Sequence, residues 1–128
     1  MKYSESLEQI SLLKWFKMQY PEISDLLIGY PAGVNLGLMQ RVRAKAMGLT
    51  SGVPDLQLLV PTFDKSTGKV IPGLFIEMKS KKGRLSPIQK AFHEKLRLYN
   101  YTIVISYSSE EAIEAIRLYL NENRSHKY

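Results

Sequence analysis

Two short apolar runs, Leu56–Val60 and Leu74–Met78, carry ionisable residues where a core strand should stay apolar. Between them lies Pro61 to Pro72, polar at its centre and bounded by prolines, so the pair reads as an antiparallel hairpin with a long tip. Symmetry about Ser66 sets Asp55, which opens the first strand, directly opposite Glu77 near the end of the second. Period-2 alternation then turns Glu77 and Lys79 to one face and Met78 to the other. Sequence spacing alone therefore brings Asp55, Glu77 and Lys79 into one cluster.

Such a cluster has a cost. Two carboxylates ~5 Å apart repel by roughly 3 kcal/mol at an effective dielectric of about 20. Burial adds to this, so either one carboxyl holds a proton or a cation sits between them. An all-oxygen site with open positions suits Mg²⁺ or Mn²⁺, which polarises a phosphate and acidifies a bound water. Lys79 then serves either to orient that water or to stabilise charge on the phosphoryl group. The bland alternative is a solvated Glu77–Lys79 pair at a strand end, with Asp55 in a turn; so short a motif recurs by accident.

The rest of the chain supplies helices. Residues 4–20 read as a helix with Leu12, Leu13, Phe16 and Tyr20 inward, ended by Pro21. Continued backwards, that face carries Gln9 and Glu5 toward the interior and leaves Glu8 off it. Residues 29–37 read as a loop, and Leu38 to Met47 as a basic helix with Gly48 at its C-terminus. Ser86-Pro87-Ile88-Gln89 starts a helix that runs to about Tyr99, with Ile88, Phe92, Leu96 and Tyr99 on its inner face. Thr102–Tyr107 is a strand, and Ser109-Glu110-Glu111 caps a last helix to about Leu120, with Ile113, Ile116 and Leu120 inward and a frayed tail from Asn121. The order α, loop, α, ββ, α, β, α predicts an α/β (α+β) domain over 1–128, a small mixed β-sheet flanked by helices.

Composition narrows the function classes. The 128 residues include no cysteine, which excludes disulfides and thiolate metal sites. No apolar run approaches the ~18 residues of a membrane-spanning helix, and the start lacks a secretory apolar stretch, so a cytoplasmic location without membrane contact is expected. A net charge of +6, from 18 Lys+Arg against 12 Asp+Glu, favours a polyanionic partner. Arg41, Arg43, Lys45, Lys81, Lys82 and Arg84 are candidate phosphate contacts. His93 and His126 read as a helix-surface and a tail histidine, and Trp15 and the eight tyrosines as core and rim.

Pro54-Asp55 followed by Glu77-Met78-Lys79 resembles the PD-(D/E)XK nuclease superfamily. More narrowly, Gly52-Val53-Pro54-Asp55-Leu56 and the ordered block from Ile76 to Gln89 resemble its VRR-NUC branch, the virus-type replication-repair nucleases. The likeness runs from the Glu5 to Gln9 element to the strand at Ile103–Ser106; it departs at Pro31-Ala32-Gly33, where relatives often have Pro-Asn-Gly. It implies a restriction-endonuclease-like core, with Asp55 and Glu77 as metal ligands and the Met78 backbone carbonyl as a third. Lys79 would be the catalytic lysine, Glu5 the helix glutamate that completes the site, and Gln89 a polar residue facing the centre. Gln89 is equally accounted for by its capping box. The activity implied is Mg²⁺- or Mn²⁺-dependent hydrolysis of DNA phosphodiesters, on branched or Holliday-junction DNA in phage-type replication or recombination in a phage or bacterial host. A two-fold junction needs paired cuts, which a C2 homodimer provides. The alternatives are a non-catalytic DNA-binding module that keeps the fold, and a structural protein with a coincidental motif.

Overall fold

The computed structural model describes residues 3–30 and 37–125. The Pro31-Ala32-Gly33 loop and His126 lie outside them.

Helix α1, Tyr3–Gln19, buries Leu12 and Phe16 completely, and Pro21 ends it by opening a 3-10 turn over Pro21–Leu26. The chain then enters β1, Leu27–Gly29, a strand that the sequence pattern does not announce; three residues ending in glycine carry too little periodicity to detect. Helix α2, Leu38–Ala46, follows, with Gly48 at φ +110° just beyond it. It buries none of its residues.

Strands β2, Leu56–Leu58, and β5, Leu74–Met78, form the expected hairpin. Their register is Leu56↔Ile76, Gln57↔Phe75 and Leu58↔Leu74. Continued one step, it sets Asp55 opposite Glu77. The first strand is shorter than expected, because the tip folds into its own ribbon: β3, Thr62–Phe63, pairs with β4, Val70–Ile71.

After β5, helix α3, Pro87–Leu98, carries the chain back to β6, Thr102–Ser106, which lies parallel to β5. The mixed sheet has the order β1-β2-β5-β6. Helix α4, Ser109–Ser125, packs with α1 over one sheet face, where Leu56, Leu58, Leu74, Ile76 and Met78 meet Leu12, Phe16, Ala112 and Ile116. Helix α3 covers the other face at β6.

Two helix readings need correction. The inner face of α3 is turned from that expected: Ile88 and Tyr99 are exposed, Phe92 and Leu96 half-buried, and His93 fully buried. His93 turns inward to meet Glu77 Oε1 at 3.2 Å, flanked by the half-buried Phe92 and Leu96. At the last helix, Ser108 rather than Ser109 is the cap, its Oγ accepting from the Glu111 N–H at 3.2 Å, and the helix runs on to Ser125. The Ser86 start is as expected: Ser86 Oγ accepts from Gln89 N–H, and Gln89 Oε1 accepts from Ser86 N–H.

The segment that delivers Asp55 to the sheet turns at Gly52, where φ is +90°. A Cβ at this position would lie 2.7 Å from the Ile88 carbonyl oxygen, so Gly52 also lets the turn close on α3. Gly52→Ala should combine left-handed strain with a backbone clash and lower stability by at least about 2 kcal/mol, read by urea unfolding. An effect under about 0.5 kcal/mol would contradict this account of the turn.

Candidate active site

The register of β2 and β5 places Asp55 and Glu77 side by side at one end of the sheet, and both are buried, at 9% and 2% exposure. Asp55 Oδ2 accepts a hydrogen bond from the Met78 N–H at 2.7 Å, which ties the carboxylate to the neighbouring strand. Lys79 follows on the Glu77 side of the alternation and is half-buried, close enough for its charge to favour ionisation of both carboxyls. Its own backbone N–H bonds to Ser106 O at 2.9 Å, so β6 holds the strand end in place.

Glu5 comes in from α1. Its Oε2 accepts from the Ser80 N–H at 3.3 Å, and its charge raises the pKa of both Asp55 and Glu77. Glu8, one turn further along, is engaged elsewhere: its Oε2 accepts from the Ser109 N–H at 2.8 Å, at the N-terminus of α4, where a carboxylate is favoured. Gln89 is half-buried, with Oε1 held in the capping box. Arg41, Arg43 and Lys45 are exposed on α2, whereas Lys81, Lys82 and Arg84 are exposed on the loop that leaves β5. Only the second group borders the clefts beside Lys79.

The electrostatics are those of a carboxylate pair forced together. Burial, then the adjacent Asp55 carboxyl, push Glu77 up to about 8. Burial also raises Asp55, against the lowering effect of its bonds to Glu77 and Met78. A buried pair in this state shares a proton when no cation is bound.

His93 is the site residue that sequence reasoning missed. It is 1% exposed, and its Nε2 lies 3.2 Å from Glu77 Oε1. Burial, then Arg97 and Lys79, lower its pKa, so it is neutral near pH 7. Nδ1 is buried without a partner. A buried N–H is costlier to leave unbonded than a lone pair, which favours the tautomer with hydrogen on Nε2, donated to Glu77. The available signal was the Gln89-x-x-x-His93 spacing, which puts two polar residues on one helical face.

Among the described residues, no three His, Cys, Asp or Glu side chains cluster closely enough to form a metal cage by themselves. The donors present are Asp55 and Glu77. Two buried carboxylates with raised pKa values fit one hard divalent cation that keeps several waters, as Mg²⁺ does.

The family model of the VRR-NUC domain matches residues 4–110. The chain belongs to the VRR-NUC family, a domain of the PD-(D/E)XK nuclease type. A solved structure described as a VRR_NUC domain protein aligns with a TM-score of 0.77 at 23% identity, over 96% of this chain and 93% of that one; at that identity the likeness is one of fold. No curated protein matches the chain.

The raised Glu77 pKa gives a pH dependence of definite sign. Between its unfolded value near 4.5 and its folded value near 8, the native state holds more protons than the unfolded state, so stability falls as pH rises through this range. His93, lowered from 6.5, acts oppositely, but only below its unfolded value. In EDTA, stability should therefore fall from about pH 6.5 to 8.5, by at least about 1 kcal/mol. Glu77→Gln should remove most of this slope, and saturating Mn²⁺ should offset it in the parent protein. Urea unfolding at each pH reads all three; a flat parent curve in EDTA would contradict the shared-proton pair.

Proposed function

We propose that this chain is a Mg²⁺- or Mn²⁺-dependent DNA endonuclease, with the whole of 1–128 as one nuclease domain. The observation that carries the reading is the buried Asp55–Glu77 pair, Glu77 raised to about 8, with Lys79 beside it.

Asp55 and Glu77 would hold the divalent ion, with the Met78 backbone carbonyl and Glu5 as further candidate oxygens. The ion supplies Lewis-acid activation of the phosphodiester and of water. The Met78 N–H fixes the rotamer of Asp55, and His93 orients Glu77. Lys79 stands beside the pair as a positive charge able to stabilise the phosphoryl group as charge builds on it. Gln89, held by its cap, acts by fixing the start of α3 and with it His93. Arg41, Arg43 and Lys45 on α2, and Lys81, Lys82 and Arg84 beside the site, supply phosphate contacts.

Branched or Holliday-junction DNA is the substrate class that we favour, in phage-type replication, recombination or repair within the cytoplasm of a phage or bacterial host. Two centres related by a two-fold axis would match the symmetry of a junction, so we propose a C2 homodimer. Among the described residues no helix is long and apolar enough to cross a membrane. The non-catalytic alternative is disfavoured by the intact Asp55, Glu77 and Lys79.

The test is incubation with single-stranded, duplex, flap, nicked and four-way-junction DNAs, with and without Mn²⁺. Cleavage confined to the metal-containing reactions, and strongest on branched substrates, is expected; no cleavage of any substrate would overturn the enzymatic reading. In binding assays, neutralising Lys81 and Lys82 to alanine should reduce the log–log salt slope by up to about 2. An unchanged slope would move the phosphate contacts away from this loop.

A further inference from the structure

Strands β5 and β6 run parallel and end together, Met78 beside Ser106. The chain leaves β5 into Lys79 and the basic loop, and leaves β6 into Tyr107. A crevice outside the carboxyl ends of neighbouring parallel strands is where sheets of this type receive ligands.

Two clefts occupy that crevice and share three of their lining residues, Lys81, Lys82 and Tyr107. The first, of about 570 Å³, joins them to Lys79, Glu5 and Glu8. The second, of about 600 Å³, joins them to Gly83 and Arg84 and has no carboxylate in its lining. Both volumes are in the range of small-molecule pockets, enough for a nucleotide each.

Charge is sorted along this groove. Its carboxylates, Glu5 and Glu8, are confined to the end nearest the Asp55–Glu77 pair, and its cations continue past Tyr107 to Arg84. The N-terminus of α4 does not compete for phosphate, because Glu8 already accepts the Ser109 N–H. Between the two ends stands Tyr107, 40% exposed. Its backbone N–H is fixed by Glu111 Oε2 at 2.8 Å, which anchors the residue where it lines both clefts. An aromatic ring between lysines on a groove is the arrangement that binds unpaired nucleic acid, the ring stacking on a base and the cations meeting phosphates. Bases inside a duplex are stacked on both faces and offer the ring no free face.

We propose that this groove is a binding site for an unpaired DNA strand, with Tyr107 as the base-stacking platform and Lys81, Lys82 and Arg84 as its phosphate contacts. The proposal rests on the reading of the chain as a DNA nuclease, and adds that the strand beside the cut is unpaired. Branch points, flaps and junctions expose such nucleotides, whereas an intact duplex does not. Tyr107 thereby discriminates between substrates without touching the reacting atoms.

The test is fluorescence anisotropy with a labelled oligothymidylate and a labelled blunt duplex, using the full chain in EDTA. Tyr107→Phe keeps the ring and should bind both probes as the parent does. Tyr107→Ala should weaken oligothymidylate binding on the order of tenfold and leave duplex binding unchanged. Equal losses on the two probes, or an alanine variant that binds oligothymidylate as tightly as the parent, would overturn the proposal. Thermal unfolding of each variant in the same buffer separates lost stacking from lost fold. Because EDTA removes any need for cleavage, a chain that stacks a strand but never cuts DNA would refute the nuclease reading and leave the groove as a single-strand binding site alone.

Discussion

The contact on which the site depends is the 2.7 Å hydrogen bond from the Met78 N–H to the Asp55 carboxylate. It joins the start of β2 to the end of β5 and holds Asp55 against Glu77, an arrangement that both carboxyls oppose. Burial raises both carboxyls, the Asp55 charge adds to the rise at Glu77, and Glu77 reaches about 8. Opposing these are the strand register, the Leu56–Ile76 pairing beneath, and the α1–α4 layer that packs on the same strands. The sheet's apolar face therefore supports the strain at its end. This is how buried groups with perturbed pKa values come to sit at functional sites rather than in the core.

Much of this arrangement is legible in the order of residues. The symmetry of the apolar runs about Ser66 corresponds to the observed Leu56↔Ile76 register, because both strands pack one face on a core and a one-residue slip would reverse every side chain. The Ser86–Gln89 box marks the start of α3 for an equally local reason. What escapes such reading is set by tertiary contacts. Strand β1 is three residues long and exists because β2 offers it an edge. Helix α3 turns His93 inward to Glu77, a polar contact that no apolar periodicity encodes. By hydrophobic spacing His93 belongs on the surface; it lies at the centre. Tyr107 is indistinguishable from a rim tyrosine until β6 brings it beside Lys81 and Lys82.

The two basic segments also differ in a way that charge counting hides. Both contribute to the net charge of +6, but the loop after β5 borders the clefts at the site, whereas α2 is exposed along its length with no buried residue. A phosphate near the carboxylate pair meets the loop first.

The proposed site divides its labour: Asp55 would help to hold the cation, and Lys79 would act on the phosphate. Side-by-side measurement of Mn²⁺ affinity by calorimetry and of DNA cleavage, in Lys79→Ala and Asp55→Ala proteins, addresses it most directly. Lys79→Ala should abolish cleavage while Mn²⁺ still binds, because the lysine is no part of the carboxylate ligand set, and Asp55→Ala should lose both. A Lys79→Ala protein that cuts DNA at the parent rate would contradict it.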